Sequence, residues 1–379
     1  MRLSSSTSDP FAGTYSCPEA AAMGTALSYL GYLLQVEAAI AVSAARAGLV
    51  SADDAAAVVA ACTPTLLPLS EVEAGLVRDA TPVIVIVERL TAAVPPSAKA
   101  AVHVGATSQD VVDTAHMLYA RDVIGVIVSD SVAIAESLVS IAREYRAAPM
   151  AGRTLGQHAV PITIGAWAAL RLRAISDAAS HLLEELGTCG CVQYGGAVGM
   201  NDALAQQLAV ELGLRPPVTS WHTSRSNVAR IATAAAALAG ELGALANDIV
   251  LLSSTEIGEV VVTNAGGSSA MPGKRNAASA VNALACTYRV PGAVSTILAM
   301  MPQGLQRDPG RWQAEWGAWS DVLQLTAGAA RHLRTAIAGI QVDTDAAARN
   351  AATMLEATGD AGAARLRDAE AVVNRLLGE

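Results

Sequence analysis

The sequence predicts an all-α fold built from long helices, and three observations carry that expectation. Apolar residues make up 52% of the 379 residues but aromatic ones only 3%, so alanine takes the place of larger side chains, which suits close helix packing. The apolar run that follows Asp110 has few breakers, and a helix of roughly 30 residues there would span about 45 Å, the scale of a bundle. Each long apolar stretch is also preceded by a short polar loop, so the pattern of long helix, polar loop, long helix recurs. A chain of this length can bury several core layers, as one elongated body or as two to three domains.

Charge and cysteine usage narrow the function classes. A formal charge of −9 and a pI near 5.2 argue against a nucleic-acid partner, because no basic surface replaces phosphate counterions. An anionic metabolite must then be held by local cations, which draws attention to arginine and lysine on loops. Cys17, Cys62, Cys189, Cys191 and Cys286 form no regular framework and no zinc spacing, so they read as reduced thiols of a cytoplasmic protein. The start, MRLSSSTSDPF, lacks the apolar core of a signal peptide. The positive mean hydropathy of +0.38 reflects alanine and valine in helices buried within an assembly, with no membrane span expected, and an apolar stretch at 81–87 is too short for one.

Taken in order, residues up to about Glu19 read as an irregular arm punctuated by Pro10, Gly13 and Pro18. Residues 20–47 read as helix on the spacing of Leu30, Leu33, Leu34, Val36 and Ile40, with Glu37 as a structural anchor. Helical turns follow at 53–61 and 70–78, the second opened by Ser70 with Glu71 and Glu73 in its first turn, while 82–93 reads as helix or strand. In 103–110 Asp110 takes the N-cap or first turn of a long helix. Thr107, Ser108 and Gln109 then form a hydrogen-bonding loop suited to holding a carboxylate, and His103 taken alone reads as a surface or capping residue. Pro149 ends that helix, and 152–161 is a second polar loop, with Arg153, Thr154, Gln157 and His158, ahead of another long helix.

The glycines at 195–199 lack the order of a dinucleotide fingerprint and serve a tight backbone approach at a crossing or at the substrate. Residues 221–225 open a helix running to Glu256 and Glu259, and Arg225 either faces a substrate or makes a salt bridge. The most concentrated polar chemistry is GGSSAMPGKRN at 266–276, where three glycines and a proline break any helix. It reads as a solvated linker or as an anion-binding nest with Lys274 and Arg275 supplying the field. Helix resumes at 278–287, a polar turn at 306–316 carries Arg307 and Arg311, and short helices divided by Gly359 and Gly362 follow Asp343.

Together, GGSSAMPGKRN at 266–276 and HVGATSQDVVDTA at 103–115 resemble the fumarase/aspartase superfamily, most nearly its 3-carboxy-cis,cis-muconate cycloisomerase branch, close to adenylosuccinate lyase. Supporting motifs are GRTLGQHAVPITIG at 152–165, YGGAVG at 194–199, WHTSR at 221–225, TEIGEV at 255–260 and RWQAEW at 311–316. The resemblance implies a homotetramer in which five long helices per subunit form a twenty-helix core, with each active site built where three subunits meet. It implies an N-terminal helical domain at 1–103, a central long-helix bundle at 104–335 and a short C-terminal helical region at 336–379.

Carried over residue by residue, the resemblance makes Ser268 the general base, activated by loop N–H groups and Lys274. Lys274 and Asn276 would stabilise the substrate carboxylate as it takes on enediolate character, with Ser269 and Met271 on the same loop. Thr107 and Ser108 would hold another carboxylate beside His103, and Gln109 is typical of the cycloisomerase branch. Arg153, Thr154, Gln157 and Arg225 complete the expected substrate-binding set, and His158 would orient the substrate or donate a proton. Lyase relatives carry a histidine directly after Arg-Thr where this chain has Leu155, and Ala277 replaces a proline. A carboxylate leaving from a lactone needs no proton, so Leu155 favours the cycloisomerase over an amine-releasing lyase. The implied activity interconverts 3-carboxy-cis,cis-muconate and 4-carboxymuconolactone in protocatechuate breakdown, with no metal or organic cofactor and a small di- or tricarboxylate as substrate. The alternatives are a C–N lyase releasing fumarate from a succinyl adduct, and a helical protein retaining the loops as relics.

Overall fold

The computed structural model describes residues 11–379, so the first ten residues, Pro10 among them, lie outside the described residues. The body is helical, with two short two-stranded sheets at its margins. The stretch read as one helix at 20–47 is two, α1 (Pro18–Met23) and α2 (Ala26–Arg46). The chain breaks at Gly24, and the Thr25 hydroxyl restarts the helix by accepting the Ser28 N–H at 3.2 Å. After α3 (Ala52–Ala61), α4 (Leu69–Asp79) begins behind Pro68 with no side-chain cap, so Ser70 does not open it. The ambiguous segment is a helix, α5 (Val83–Ala93), whose Val83, Ile86 and Leu90 are buried at helical spacing.

The long helix is α6 (Ser108–Glu144), 37 residues and therefore about 55 Å. It starts in a capping box: the Thr107 side chain serves the Asp110 N–H while the Asp110 carboxylate takes the Thr107 N–H at 2.9 Å. The polar segment that follows is a β-hairpin, β1 (Pro149–Thr154) and β2 (Gln157–Thr163), rather than a loop. Leu155 and Gly156 both take left-handed φ, 53° and 76°, the geometry of a two-residue hairpin turn. At Gly152, where the register shifts, an added Cβ would lie 2.4 Å from the Val160 carbonyl oxygen. The hairpin leads directly into α7 (Ile164–Cys189), capped by Thr163.

Then come α8 (Ala205–Leu212), α9 (Ser226–Leu252), β3 (Val260–Val262), α10 (Ala278–Thr287), α11 (Val290–Met300), α12 (Arg311–Ala338), β4 (Ile340–Val342) and α13 (Thr344–Leu377). β3 pairs antiparallel with β4. The expected string of short terminal helices is α13 alone, broken in conformation at Gly359 (φ 48°, ψ −125°) and not at Gly362.

Helices α6, α7, α9, α10, α11 and α12 share the main core, where Ala168, Ala169, Ala232, Ala235, Ala283, Ala327 and Ala330 are fully buried. Alanine at these crossings lets the helix axes approach closely. A second core joins α2, α4, α5 and α8 to the start of α6, with Trp312 and Trp316 reaching in from α12. The capped end of α6 thus sits where both cores meet.

Candidate active site

Asp110 organises the loop at the start of α6. Besides its own capping bond, its carboxylate accepts the Gly195 and Gly196 N–H groups, each at 2.9 Å, and lies 2.7 Å from His222 Nε2. The loop is held from the same side by Tyr194, whose hydroxyl donates to the Val104 carbonyl at 2.7 Å, and by Asn201, whose amide donates to Gly105 at 2.9 Å. A glycine pair brings two backbone N–H groups onto one carboxylate, and this is the close backbone approach the glycine run at 195–199 provides. On the outer side, Arg307 from the segment before α12 donates to the Thr107 hydroxyl at 2.6 Å. A guanidinium is therefore fixed against the first turn of α6, where backbone N–H groups already favour an anion. His103, also left-handed (φ 55°), turns its ring to Glu37 of α2, with Nδ1 2.7 Å from Oε1.

Beneath the loop lies a buried charge network. Arg225, with no exposed side-chain surface, is bonded to both oxygens of Asp113 at 2.8 and 3.0 Å and to Glu315, and it stacks 5.0 Å from the Trp221 ring. Burial opposes its charge, but the Asp113 and Glu315 carboxylates outweigh this and raise its pKa. Burial pushes the Glu315 carboxyl upward despite Arg225. Trp312 Nε1 donates to Asp113 at 3.0 Å. Gln109, 1% exposed, donates to Asp113 at 3.2 Å and to the His222 carbonyl at 2.8 Å. Arg225 thus makes the salt bridge that was its alternative reading, with every guanidinium nitrogen engaged inside the chain, and the Gln109 amide nitrogen likewise donates inward.

The hairpin divides its polar residues. Arg153 lies back against the body, pairing with buried Glu259 at 2.5 and 3.1 Å, and Asn350 of α13 donates to the same carboxylate at 2.9 Å. It is a strut, with its donors directed away from the tip. Thr154, Leu155, Gln157 and His158 at the tip are exposed, Leu155 completely.

The third loop is closed at its neck by paired backbone bonds between Gly266 and Asn276, both 2.9 Å, and the Asn276 amide donates to the Gly267 carbonyl at 2.9 Å. Inside it, the Ser268 hydroxyl oxygen accepts the Met271 N–H at 3.1 Å and the Ala270 N–H at 3.4 Å. Two donors aimed at one oxygen favour its alkoxide form. Ser269, Met271 and Lys274 are exposed on the same loop, and Arg275 is tied to the Thr263 carbonyl at 2.6 Å.

A family model described as lyase matches residues 14–292. The chain belongs to this lyase family, within the fumarase/aspartase superfamily. A 3-carboxy-cis,cis-muconate cycloisomerase of Pseudomonas putida is 38% identical over 331 residues, covering 84% of this chain and 78% of that one. A nitrosuccinate lyase of Streptomyces davaonensis is 36% identical over 338 residues, covering 84% and 71%. Among solved structures, the 3-carboxy-cis,cis-muconate lactonizing enzyme from Pseudomonas putida superposes with a TM-score of 0.87 at 32% identity, covering 97% of this chain and 86% of that one.

Within one chain of this lyase-family enzyme, the structure joins residues 103–110 to residues 194–201, 222 and 307. Among the described residues, no hydrogen bond or ion pair links that segment to the hairpin tip or to the Ser268 loop. The candidate residues therefore fall into three stations that no hydrogen bond or ion pair joins directly among the described residues. Arg307 was legible only as a cation in a polar turn, because nothing local in the sequence shows that it reaches Thr107 about 200 residues away. Asp110 was read as a cap, and its second role as the anchor of the 194–201 segment depends on contacts equally remote.

Proposed function

We propose that this enzyme is a 3-carboxy-cis,cis-muconate cycloisomerase, acting in protocatechuate breakdown in the cytoplasm on a tricarboxylate substrate. The observation that carries the chemistry is the Ser268 hydroxyl, cradled by the Met271 and Ala270 N–H groups. In the lactone-opening direction Ser268 removes the proton on the carbon next to a carboxylate, the electrons form the new double bond, and the ring C–O bond breaks to release a carboxylate. Lactonisation is the reverse: the carboxylate adds to the conjugated alkene and Ser268 returns the proton to carbon. Lys274 stabilises the enediolate, while the first turn of α6, Thr107, Ser108 and Arg307 hold a second carboxylate. Leu155 at the exposed hairpin tip supplies no proton, and a departing carboxylate requires none. His158, Thr154 and Gln157 on the same tip orient the substrate.

A second reading, C–N elimination from a succinyl-type adduct, is favoured by the nitrosuccinate lyase relative. Expulsion of nitrite would also release a stable anion, so Leu155 fits that reaction as well, but fits poorly with release of an amine. The purified enzyme should consume 3-carboxy-cis,cis-muconate with loss of its conjugated-diene absorbance. No turnover of it, together with fumarate release from nitrosuccinate or adenylosuccinate, would reverse the choice.

We further infer that the three stations converge between copies of the chain in a homotetramer, with helical domains at 1–103 and 336–379 flanking the bundle at 104–335. Four stretches, in α2, α6, α9 and α10–α11, are long and apolar enough to cross a membrane by composition, yet only 33% of the apolar window of α6 is buried in one subunit. Val132, Leu170, Leu183, Leu251, Val281 and Leu298 are exposed along these helices and α7. Bundling against other copies covers such faces, and it accounts for them together with the charge network at the start of α6.

A further inference from the structure

Glu37 lies in the middle of α2 with no exposed surface, and the His103 ring is its one hydrogen-bonding partner among the described residues. Its second oxygen is buried without a partner. A buried carboxylate with a single neighbour calls for a cation there. The histidine is brought to it by a left-handed backbone at φ 55°, an uncommon conformation for a residue with a Cβ. Among the described residues the other ring nitrogen, Nε2, has no hydrogen-bonding partner and is not one of the buried unpaired atoms, and the side chain is 19% exposed, so Nε2 opens outward from them.

We propose that Glu37 is a positioning residue of the active site: by holding Nδ1 it presents the His103 Nε2–H as a second cationic donor, beside Arg307, to the substrate carboxylate held at Thr107 and Ser108. This rests on the carboxylate-binding reading of that loop. Burial alone disfavours the imidazolium, but the Glu37 charge and hydrogen bond, with Asp110 of α6 further off, outweigh it and raise the His103 pKa. Of the other groups nearby, Cys62 beyond α3 stays a neutral thiol, pushed up to about 12 by burial and by Glu37. His222 is bonded to Asp110, and Arg307 to Thr107. Because the folded value is raised, the stability His103 contributes is fully present below the ordinary histidine pKa and is lost as pH rises through the folded value.

The test uses the full-length enzyme with labelled histidine, which gives only six side-chain signals, His103 being assigned by its loss in His103→Gln. The His103 midpoint should lie above the ordinary value and fall by at least about one pH unit in Glu37→Gln. KM should rise about tenfold at neutral pH, recovering toward low pH, with a much smaller change in kcat. An unmoved midpoint in a folded Glu37→Gln protein overturns the proposal, as does a lowered midpoint with KM and its pH profile unchanged, which marks a purely structural pair. If Glu37→Gln does not fold, His103→Gln should raise KM and abolish the pH dependence, and an unaltered KM there refutes the idea. The midpoint is read without substrate, so a failed muconate assay is distinguishable. Fumarate, a plain dicarboxylate, then serves as probe, and it must shift the His103 signal.

Discussion

At the Ser268 hydroxyl, geometry and chemistry coincide: an oxygen that accepts two backbone N–H groups has its negative charge anticipated before substrate arrives. Replacing it with alanine should lower kcat by roughly 10²–10⁴-fold with KM little changed, the signature of a lost proton-transfer group. Steady-state rates on the muconate would measure this, and near-normal kcat would remove Ser268 from the base role. The loop's composition marked it only as a linker or an anion-binding nest, and it was the family resemblance that singled out Ser268 within it. The directions of Gln109 and Arg225 were not legible, since a polar residue at a helix start looks alike whether it faces ligand or core. Their direction is set largely by remote partners, the His222 carbonyl for Gln109 and the Asp113 and Glu315 carboxylates for Arg225.

Among the elements, the helices were largely readable because the 3.6-residue spacing of buried Leu, Val and Ile marks them. The hairpin was hidden because its turn is Leu155-Gly156, and leucine in a left-handed conformation is no turn signal. That hairpin is held near its turn by Arg153, whose bonds to Glu259, itself bonded to Asn350, connect β1 to the residue before β3 and to α13. Glu259→Ala should therefore cost about 1–3 kcal/mol, since it strips a buried charged acceptor from two part-buried donors. Urea unfolding would measure the loss, and a change below about 0.5 kcal/mol would mean that packing of Ala151 against Ala351 and Met354 suffices.

For the whole molecule, the helical class and superfamily were readable from motif order, while a site shared between copies was implied only by the resemblance, since no pattern within one sequence reports contacts between chains. If three copies build each site, Ser268→Ala and Arg307→Ala subunits, each nearly inactive alone, should regain activity when refolded together. Some sites then draw every group from an intact copy. Failure of mixed tetramers to recover any activity, with assembly verified by sedimentation, would place each complete site within a single subunit.

The Asp110 carboxylate also has a consequence for how the chain acquires its shape. Its outside donors come from Gly195, Gly196 and His222, which follow it by 85, 86 and 112 residues. Pairings so distant in sequence form late, because the intervening chain must first be emitted and ordered. A ribosome that has delivered only α6 leaves Asp110 with nothing but its own capping turn. The corner at the start of α6 is thus finished only after the segment carrying His222 has emerged, long after the helix it tops.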